Sequence, residues 1–586
     1  MKKLLSALIV VVLCLMMSSE GAIAAGPVFG KSKMRRYDSE GFLVKERYIV
    51  LVEKDEDKEL YKDFMYIKSA RYNMEILSLK DIGISSKQTN KELWANEISE
   101  QIVEWLKTII YEKKEDGTID PFTFKPDKPK YLLLDDNIPR TSMNDGQYYS
   151  DHNYGFLWAG YTSYSSDIPW ALNEKELSVI VSRMERSQLK YWKLDGKTKK
   201  HQGINAGFYF PIVAFRQKGK HETGCSYSAM HQDRSYFGDY MRDIFKENSI
   251  SVTTLYETRY SRLSSEVTQI IKPIKQPDLP LNKANFETSL KLSNLVLLGY
   301  TRERLKLKDG SLVFSVYRND FTTASWNDKN KNYMAEDDEV EIEYLMKFSD
   351  FSKDNVKRFV FAPTAGAKAN NTDFPISIRP KFDYDAAPNW TGLLTRYEEH
   401  WDPEESGILL VWNMVLRGIA YGESFAEALL SGYDRYVLFM REHEKKDTHN
   451  QLPNVLPLFM FGPPDENISD LTQQPYLKAD NIIVKDLESQ KITIENLGEL
   501  KLRYKIIDHS DNIEMELSKG TQVVEPMNKT EAKFRIKSPM FFLRHWPYTW
   551  WSIIGKLPAE KKTGYIVLET NDSFWNKIKM NIEWYE

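Results

Sequence analysis

Three apolar runs of strand length alternate with helical patterns between residues 48 and 134, and this alternation constrains the fold more than any other feature. The runs are residues 48–52, 74–79 and 131–134. Between them, residues recur at helical spacing; the two sets are Leu60, Phe64, Ile67 and Lys68, and then Ile98, Ile102, Trp105, Leu106 and Ile109. Parallel strands that are joined by helices form a sheet covered on both faces. The alternation therefore predicts a parallel α/β sheet.

A second alternation follows and predicts a second α/β unit beside the first. A helical pattern spans 236–245, and the strand patterns are residues 210–215, 252–256, 295–299, 311–317 and 358–363; before them, the run 179–181 resembles another strand and lies in the first unit. The run 358–363 leads into a small-residue turn that ends at Gly366. The apolar run 408–412, a helix at 424–438 and a short strand at 456–462 complete the unit. Because open α/β sheets place their chemistry beyond the carboxyl ends of strands, the turn after residue 363 is a natural place for a reactive side chain.

Short strand patterns without a helical one follow Asp465. They lie at 492–498, 500–507, 522–524, 564–572 and 578–582, between turn residues. This spacing is typical of a β-sandwich. The sequence thus predicts a first α/β subdomain over 25–200, a second over 201–465, and a β-sandwich over 466–586.

The first 24 residues have the three parts of a secretory signal peptide. Lys2 and Lys3 form a positive region, residues 4–17 are apolar, and residues 22–24 form a small-residue cleavage site. The apolar run is short for a transmembrane span, and no later run is long enough. We therefore expect export to the periplasm, the cell surface or the medium, with no transmembrane segment after cleavage.

Charge and cysteine content exclude several kinds of protein. Lysine plus arginine number 80 and aspartate plus glutamate 84, interspersed along 586 residues, so no basic face for nucleic acid is expected. Of the two cysteines, Cys14 lies in the predicted signal peptide and Cys225 would remain alone, without an intrachain disulfide. Cys14 would otherwise anchor a lipoprotein, but Leu13 before it is bulkier than the small residue usual at such sites.

Four short motifs occur in a fixed order along the chain. They are Asp135-Asp136 with Ile138-Pro139, Ser150-Asp151 with Tyr154, Ser182-Arg183, and Gly462-Pro463-Pro464. Their order resembles that of the gingipain-like cysteine peptidases, although the Gly of the first family motif is missing and the last two motifs match in part. The resemblance spans Tyr48 to the C-terminus. It implies a caspase-like parallel-sheet domain of two subdomains, followed by an immunoglobulin-like β-sandwich.

The catalytic turns of that family are not matched. The family has a Gly-His-Gly turn after one strand and a Cys-x-x-Gly turn after a later one, because the His must deprotonate the thiol for attack on the scissile carbonyl. The second turn aligns with residues 363–366, which places Pro363 at the nucleophile position. The first falls on Tyr300 or on Asp320, and neither option supplies a His. The resemblance therefore implies a peptidase homologue without its catalytic pair, which binds a protein or peptide or is a structural component of the envelope.

Other residues leave alternatives open. Cys225, with His221 four residues before it and His231 six after it, would be the nucleophile of an active cysteine endopeptidase if the alignment is wrong. Thr364 would need a base that the sequence does not identify, and the His–Cys–His set is one ligand short of a zinc site. The acidic stretch 336–343 could bind calcium, although it lacks a regular loop spacing; no other cofactor is expected. A third alternative is an unrelated structural or carbohydrate-binding envelope protein.

Overall fold

The structure, a computed structural model, describes most of the chain between residues 41 and 585. The described ranges are 41–42, 44–143, 148–151, 154, 179–195, 198–210, 238, 240–256, 278–298, 305–306, 312–313, 316–317, 320–326, 340–347, 356–363, 391–395, 408–432, 459–484, 490–516, 520–537 and 561–585. The predicted signal peptide lies outside these ranges.

One eleven-stranded sheet forms the centre of the molecule. Its strands are β1 (Arg47–Val52), β2 (Asn73–Ser78), β5 (Tyr131–Asp135), β8 (Ile180–Met184), β9 (Asn205–Phe210), β10 (Ser251–Tyr256), β11 (Leu279–Pro280), β12 (Leu295–Leu298), β18 (Phe359–Pro363), β19 (Thr391–Thr395) and β20 (Phe459–Phe461). Their spatial order is β11-β10-β9-β12-β18-β19-β20-β8-β5-β1-β2. The two predicted α/β units thus share a continuous sheet.

The two halves of this sheet run in opposite directions. Strands β11, β10, β9, β12, β18 and β19 run parallel to one another, and we call them the second half of the sheet. Strands β20, β8, β5, β1 and β2 also run parallel to one another, and we call them the first half. The single antiparallel pairing joins β19 to β20. As a result, the carboxyl ends of the first-half strands lie at one edge of the sheet, and those of the second half lie at the opposite edge.

Helices cover both faces of each half, as the alternation predicts. In the first half, α1 (Lys62–Lys68) packs on the face that contains Tyr48 and Val50, and α2 (Lys91–Ile110) packs on the face that contains Ile49 and Leu51. In the second half, α3 (Lys283–Leu292) covers one face, and the other is covered by α4 (Ile408–Ala420) with helical residues at 240–247 and 425–432. Two 3₁₀ segments, Asp55–Tyr61 and Arg186–Trp192, follow β1 and β8.

The described residues also form small antiparallel sheets that are separate from the main sheet. They comprise β3 (Tyr111–Lys113) with β4 (Ile119–Phe124), β6 (Thr141–Met143) with β7 (Tyr148–Ser150), β13 (Leu305–Lys306) with β14 (Leu312–Val313), and β15 (Val316–Tyr317) with β16 (Asp320–Trp326) and β17 (Val340–Lys347).

Three sequence patterns differ in detail from the elements observed. The apolar run 408–412 is the start of the helix α4, because a short apolar run fits a buried helix as well as a strand. The run 311–317 is divided between two hairpins, since Leu312 pairs with Lys306 and Val316 pairs with Phe321. The strand predicted at 210–215 overlaps β9 (Asn205–Phe210) only at Phe210, and residues 211–215 lie outside the described ranges.

The C-terminal part consists of two sheets around a shared core. One sheet has the order β21-β23-β27-β25 and the other β22-β29-β28-β24-β26. Their strands are β21 (Leu477–Lys478), β22 (Ile482–Val484), β23 (Gln490–Asn496), β24 (Leu502–His509), β25 (Ile513–Met515), β26 (Gln522–Val524), β27 (Asn528–Ile536), β28 (Lys561–Thr570) and β29 (Lys577–Tyr585). Every second residue of β29 is buried, as in a strand with one face on a core. Ile494 and Phe534 of one sheet and Ile566 and Ile582 of the other belong to the same buried cluster.

The C-terminal sheets contact the first half through buried polar and aromatic groups. The Trp575 indole N–H donates to the carbonyl oxygen of Ala70 at 3.1 Å. The Arg71 guanidinium lies 4.0 Å from the ring centre of Tyr476 and 4.4 Å from that of Phe574. This interface has the character of a protein core. Among the residues that the structure describes, no helix is long and apolar enough to cross a membrane.

Candidate functional site

The junction of β12 and β18 lies near the middle of the main sheet. β18 lies between β12 and β19 and is parallel to both. The register pairs Leu295 with Phe359 and Leu297 with Phe361. The carboxyl ends of the two strands therefore lie side by side at one edge, which is where sheets of this kind bind ligands.

Buried contacts fix the amino ends of these strands. The Arg358 guanidinium, 2% exposed, donates to the carbonyl oxygens of Leu290 at 3.2 Å and Ser293 at 3.0 Å, at the C-terminal end of α3. The Phe359 ring stacks on that of Phe425, with 3.7 Å between the ring centres. β18 is thus attached to a helix on each face of the sheet, and the strand ends it presents are supported by a rigid core.

The predicted site residues fall at different places relative to this junction. Pro363 is the last residue of β18 and pairs with Thr395. Tyr300 lies two residues beyond Leu298, the end of β12, and is outside the described residues. Asp320 begins β16, which belongs to a separate three-stranded sheet and not to the main one.

The residues of the alternative dyad lie outside the described ranges. This applies to Cys225, His221, His231 and Thr364. Residues 340–343 of the acidic stretch open β17, whereas 336–339 are not described. No group of three or more His, Cys, Asp or Glu side chains within the described residues is arranged to hold a metal ion. The expectation of calcium binding stays a prediction.

The motif residues of the first half meet at the opposite edge of the sheet. Asp135, at the end of β5 and fully buried, accepts a hydrogen bond from the Tyr61 hydroxyl at 2.8 Å and an ion pair from Arg186 at 3.0 Å. Arg186 also pairs with Asp57 at 2.9 Å and Asp136 at 3.2 Å. Burial, and then the charge of Asp135, raise the pKa of Tyr61 well above its usual value. Arg186 contacts all three carboxylates and the Tyr61 hydroxyl donates to one of them, so the arrangement holds the strand end.

Arg183 connects the motif that contains Asp135 with the motif that contains Asp151, at the same edge of the sheet. Its guanidinium donates to the carbonyl oxygens of Asp135 and Ile138 at 2.9 and 2.5 Å, and forms two bonds to the Asp151 carboxylate at 3.0 and 2.6 Å. Burial would lower the pKa of Arg183, but Asp151 outweighs it and the net pKa is raised. The neighbouring Ser182 hydroxyl donates to the carbonyl oxygen of Gly462 at 2.8 Å. All four sequence motifs are therefore joined in one buried network with a structural role.

A buried ionic cluster that the sequence did not reveal lies around Trp192. Lys68 and Lys357 place their ammonium groups 4.6 and 3.8 Å from the indole ring centre, and they pair with Asp465 and Glu466, respectively. We call these five residues the Trp192 cluster. Its lysines come from α1 and from the residue two before β18, and its carboxylates follow β20. The sequence showed Lys68 only as part of a helical pattern and Asp465 only as a domain boundary.

Comparison with known proteins finds similarity in structure but not in sequence. No family model matches the chain, and no curated protein sequence does. The chain is similar to the complex of the pro- and mature domains of Porphyromonas gingivalis RgpB, with 11% identity, a TM-score of 0.43, and coverage of 92% of this chain and 100% of that one. It is similar to a structure described as a protease, with 10% identity, a TM-score of 0.41, and coverage of 93% and 98%.

A third similarity is confined to one part of the chain. It is to a Porphyromonas gingivalis W83 protein of unknown function, with 13% identity, a TM-score of 0.14, and coverage of 20% of this chain and 48% of that one. At such scores and identities these similarities do not assign a fold by themselves. The description of the fold depends on the strand order and register given above.

Proposed function

We propose that this protein is an exported homologue of gingipain-type cysteine peptidases that has lost its catalytic Cys and His and acts by binding a protein or peptide, or as a structural component of the cell envelope. The C-terminal pair of sheets is proposed to be an immunoglobulin-like domain. Such a protein would keep a peptidase scaffold for recognition, because fold and activity are separable.

The register of β12 with β18 is the observation that favours this proposal. Leu297 of β12 pairs with Phe361 of β18. Along the sequence, Tyr300 comes three residues after Leu297, and Pro363 comes two residues after Phe361. Because β12 and β18 are adjacent and parallel, turns that follow them would face each other as the catalytic turns of a peptidase must. Asp320 is the weaker candidate for the His position, since it begins a strand of another sheet.

The chemistry of these two side chains explains why activity is not expected. A proline ring has no nucleophilic atom. A tyrosine hydroxyl, with an ordinary pKa near ~10, is protonated at neutral pH and does not accept a thiol proton. A pair of this kind provides neither of the two functions that acyl transfer by a cysteine peptidase needs. What remains at the edge is the carboxyl end of a parallel sheet, where sheets of this kind bind ligands.

The reactivity of the Cys225 thiol tests the proposal. We expect Cys225 in the folded protein to be alkylated by iodoacetamide with the pH dependence of an ordinary thiol, whose pKa is about 8.5. The measurement is the alkylation rate between pH 5 and pH 9 by mass spectrometry, with the urea-unfolded protein as the control for an unperturbed thiol. Rapid alkylation of the folded protein alone at pH 6 would indicate an activated thiolate. It would favour an active endopeptidase that uses Cys225 with His221, and would refute the proposal.

A further inference from the structure

The ion pair between Lys68 and Asp465 in the Trp192 cluster is completely removed from solvent. The Lys68 ammonium nitrogen lies 2.5 Å from the Asp465 carboxylate oxygen Oδ2. The two side chains are 1% and 0% exposed. They lie 397 positions apart in the chain, one at the end of α1 and the other after β20. The contact therefore joins the first half of the sheet to the segment that leads into the C-terminal sheets.

Buried aromatic rings and the second ion pair of the Trp192 cluster surround this pair. The Lys68 nitrogen lies 4.6 Å from the ring centre of Trp192 and 6.0 Å from that of Phe64. Trp192 and Phe64 are buried themselves, and their rings meet edge to face with 5.1 Å between centres. The low exposure of the two side chains limits the access of solvent to the amine and to the carboxyl carbon.

The hydrogen bonding of the ionic form is incomplete. Within the described residues, the second carboxylate oxygen of Asp465, Oδ1, forms no hydrogen bond of ordinary length, and the buried Tyr48 hydroxyl interacts with this carboxylate only weakly. A buried charge is costly unless its lone pairs and protons are all satisfied. Formation of an amide would remove both charges and leave one carbonyl oxygen, which needs fewer partners. The structure thus holds an amine and a carboxyl group in contact under conditions that favour their neutral condensation product.

We propose that Lys68 and Asp465 condense to form an intramolecular amide cross-link. One proton passes from the ammonium group to the carboxylate, and the neutral nitrogen attacks Cγ of Asp465. The N–Cγ bond forms, one Cγ–O bond breaks, and that oxygen leaves as water with the transferred proton and a second proton from the nitrogen. An ammonium ion and a carboxylate thus give an amide and one water molecule, without an oxidant or another reactant. This inference is independent of the proposed function.

Other ion pairs of the chain provide contrasts to this one. Lys62 and Glu59 are 3.0 Å apart but 73% and 76% exposed, so water solvates both groups and competes with their contact. Arg71 and Asp470 are buried at 2.9 Å, but a guanidinium is a poor nucleophile. Lys357 with Glu466 is buried as well. Since the Asp side chain has one torsion angle fewer than Glu, Asp465 holds its carboxyl carbon more firmly against the amine, and proximity of that kind accelerates a reaction.

The mass of the denatured full chain tests the cross-link. We expect the mass of the purified protein to be lower by one water molecule than the mass calculated for the unmodified chain that starts at the same N-terminal residue. Digestion with trypsin is expected to give one branched peptide that contains residues 68 and 465. Lys68→Met is expected to abolish the loss of water, and Lys62→Met, in the exposed pair, is expected to retain it.

A mass equal to that of the unmodified chain would overturn the proposal. A branched peptide that joins Lys357 to Glu466 instead would overturn the assignment to Lys68 and Asp465. The measurement on the unsubstituted protein is decisive by itself, so a Lys68→Met chain that fails to fold does not remove the test.

Discussion

Replacement of Arg71 by alanine tests how the C-terminal sheets are held against the first half of the molecule. The Arg71 side chain is 3% exposed and pairs with the 6% exposed Asp470 carboxylate at 2.9 Å. Its guanidinium also lies against the rings of Tyr476 and Phe574, at 4.0 and 4.4 Å from their centres. Alanine removes all three contacts and leaves the Asp470 carboxylate in the interior.

The expected cost is about 3 kcal/mol of the free energy of unfolding. Removal of one partner of a buried ion pair typically costs about 3–5 kcal/mol, because the other charge is left uncompensated. Asp470 keeps hydrogen bonds from the Gln474 amide at 3.1 Å and from the Asn467 backbone N–H at 3.0 Å. The charge of Lys357 also acts on it. These remaining contacts place the expected cost at the lower end of the range.

Urea unfolding followed by tryptophan fluorescence measures this cost. The matched control is Lys491→Ala, since Lys491 pairs with Glu531 at 2.6 Å but both are about half exposed, at 52% and 50%. The control should change the free energy of unfolding by less than about 1 kcal/mol. Asp470→Asn and the double variant Arg71→Ala/Asp470→Asn complete a cycle, in which we expect a coupling of about 1–3 kcal/mol. A cost for Arg71→Ala no larger than that of the control, or additive effects in the cycle, would refute this view of the interface.

Three further predictions concern acid, reactivity and packing. Burial would raise the pKa of Asp470, but Arg71 and its other cationic neighbours hold this pKa below its usual value. The stabilising effect of the Asp470 carboxylate is therefore present above about pH 4 and lost at lower pH. The stability difference between the wild type and Asp470→Asn should shrink from pH 7 to pH 3, and a constant difference would contradict this. Burial lowers the pKa of Lys128 to about 8, so acetic anhydride at pH 8 should acetylate it faster than Lys491, and equal rates by mass spectrometry would contradict this. Gly498→Ala would drive a Cβ into the carbonyl oxygen of Gln474 and should cost about 2 kcal/mol in urea unfolding, whereas Gly203→Ala, with open space around it, should cost little; similar costs would contradict this.

The sequence was most informative where a strand is buried on both faces. Residues 48–52 are fully buried in β1, and 131–134 in β5, so an uninterrupted apolar run was sufficient to identify each strand. The apolar run at 408–412 is of similar length but begins the helix α4, because a short apolar run fits a buried helix as well as a strand. Local pattern indicates burial better than it indicates the type of element.

The reversal of strand direction could not be predicted from sequence. It depends on the pairing of Leu393 with Met460, which lie far apart in the chain, and nothing in either segment indicates an antiparallel neighbour. The Trp192 cluster was hidden for the same reason, since Lys68 meets Asp465 only in the folded chain. The motif residues Asp135 and Arg183 were identified from the sequence, but only the structure shows that Arg183 donates to the backbone carbonyl of Asp135 and that the Asp135 carboxylate pairs with Arg186.

Cleavage of a peptide library by the purified protein tests the central claim most directly. The library should offer every residue on both sides of the scissile bond, and products should be read by mass spectrometry beside a Cys225→Ser variant. If Pro363 and Tyr300 occupy the catalytic positions, neither protein should cleave any peptide above the background of a heat-inactivated sample. Cleavage by the wild type that is lost in Cys225→Ser would contradict the account and identify an active cysteine peptidase.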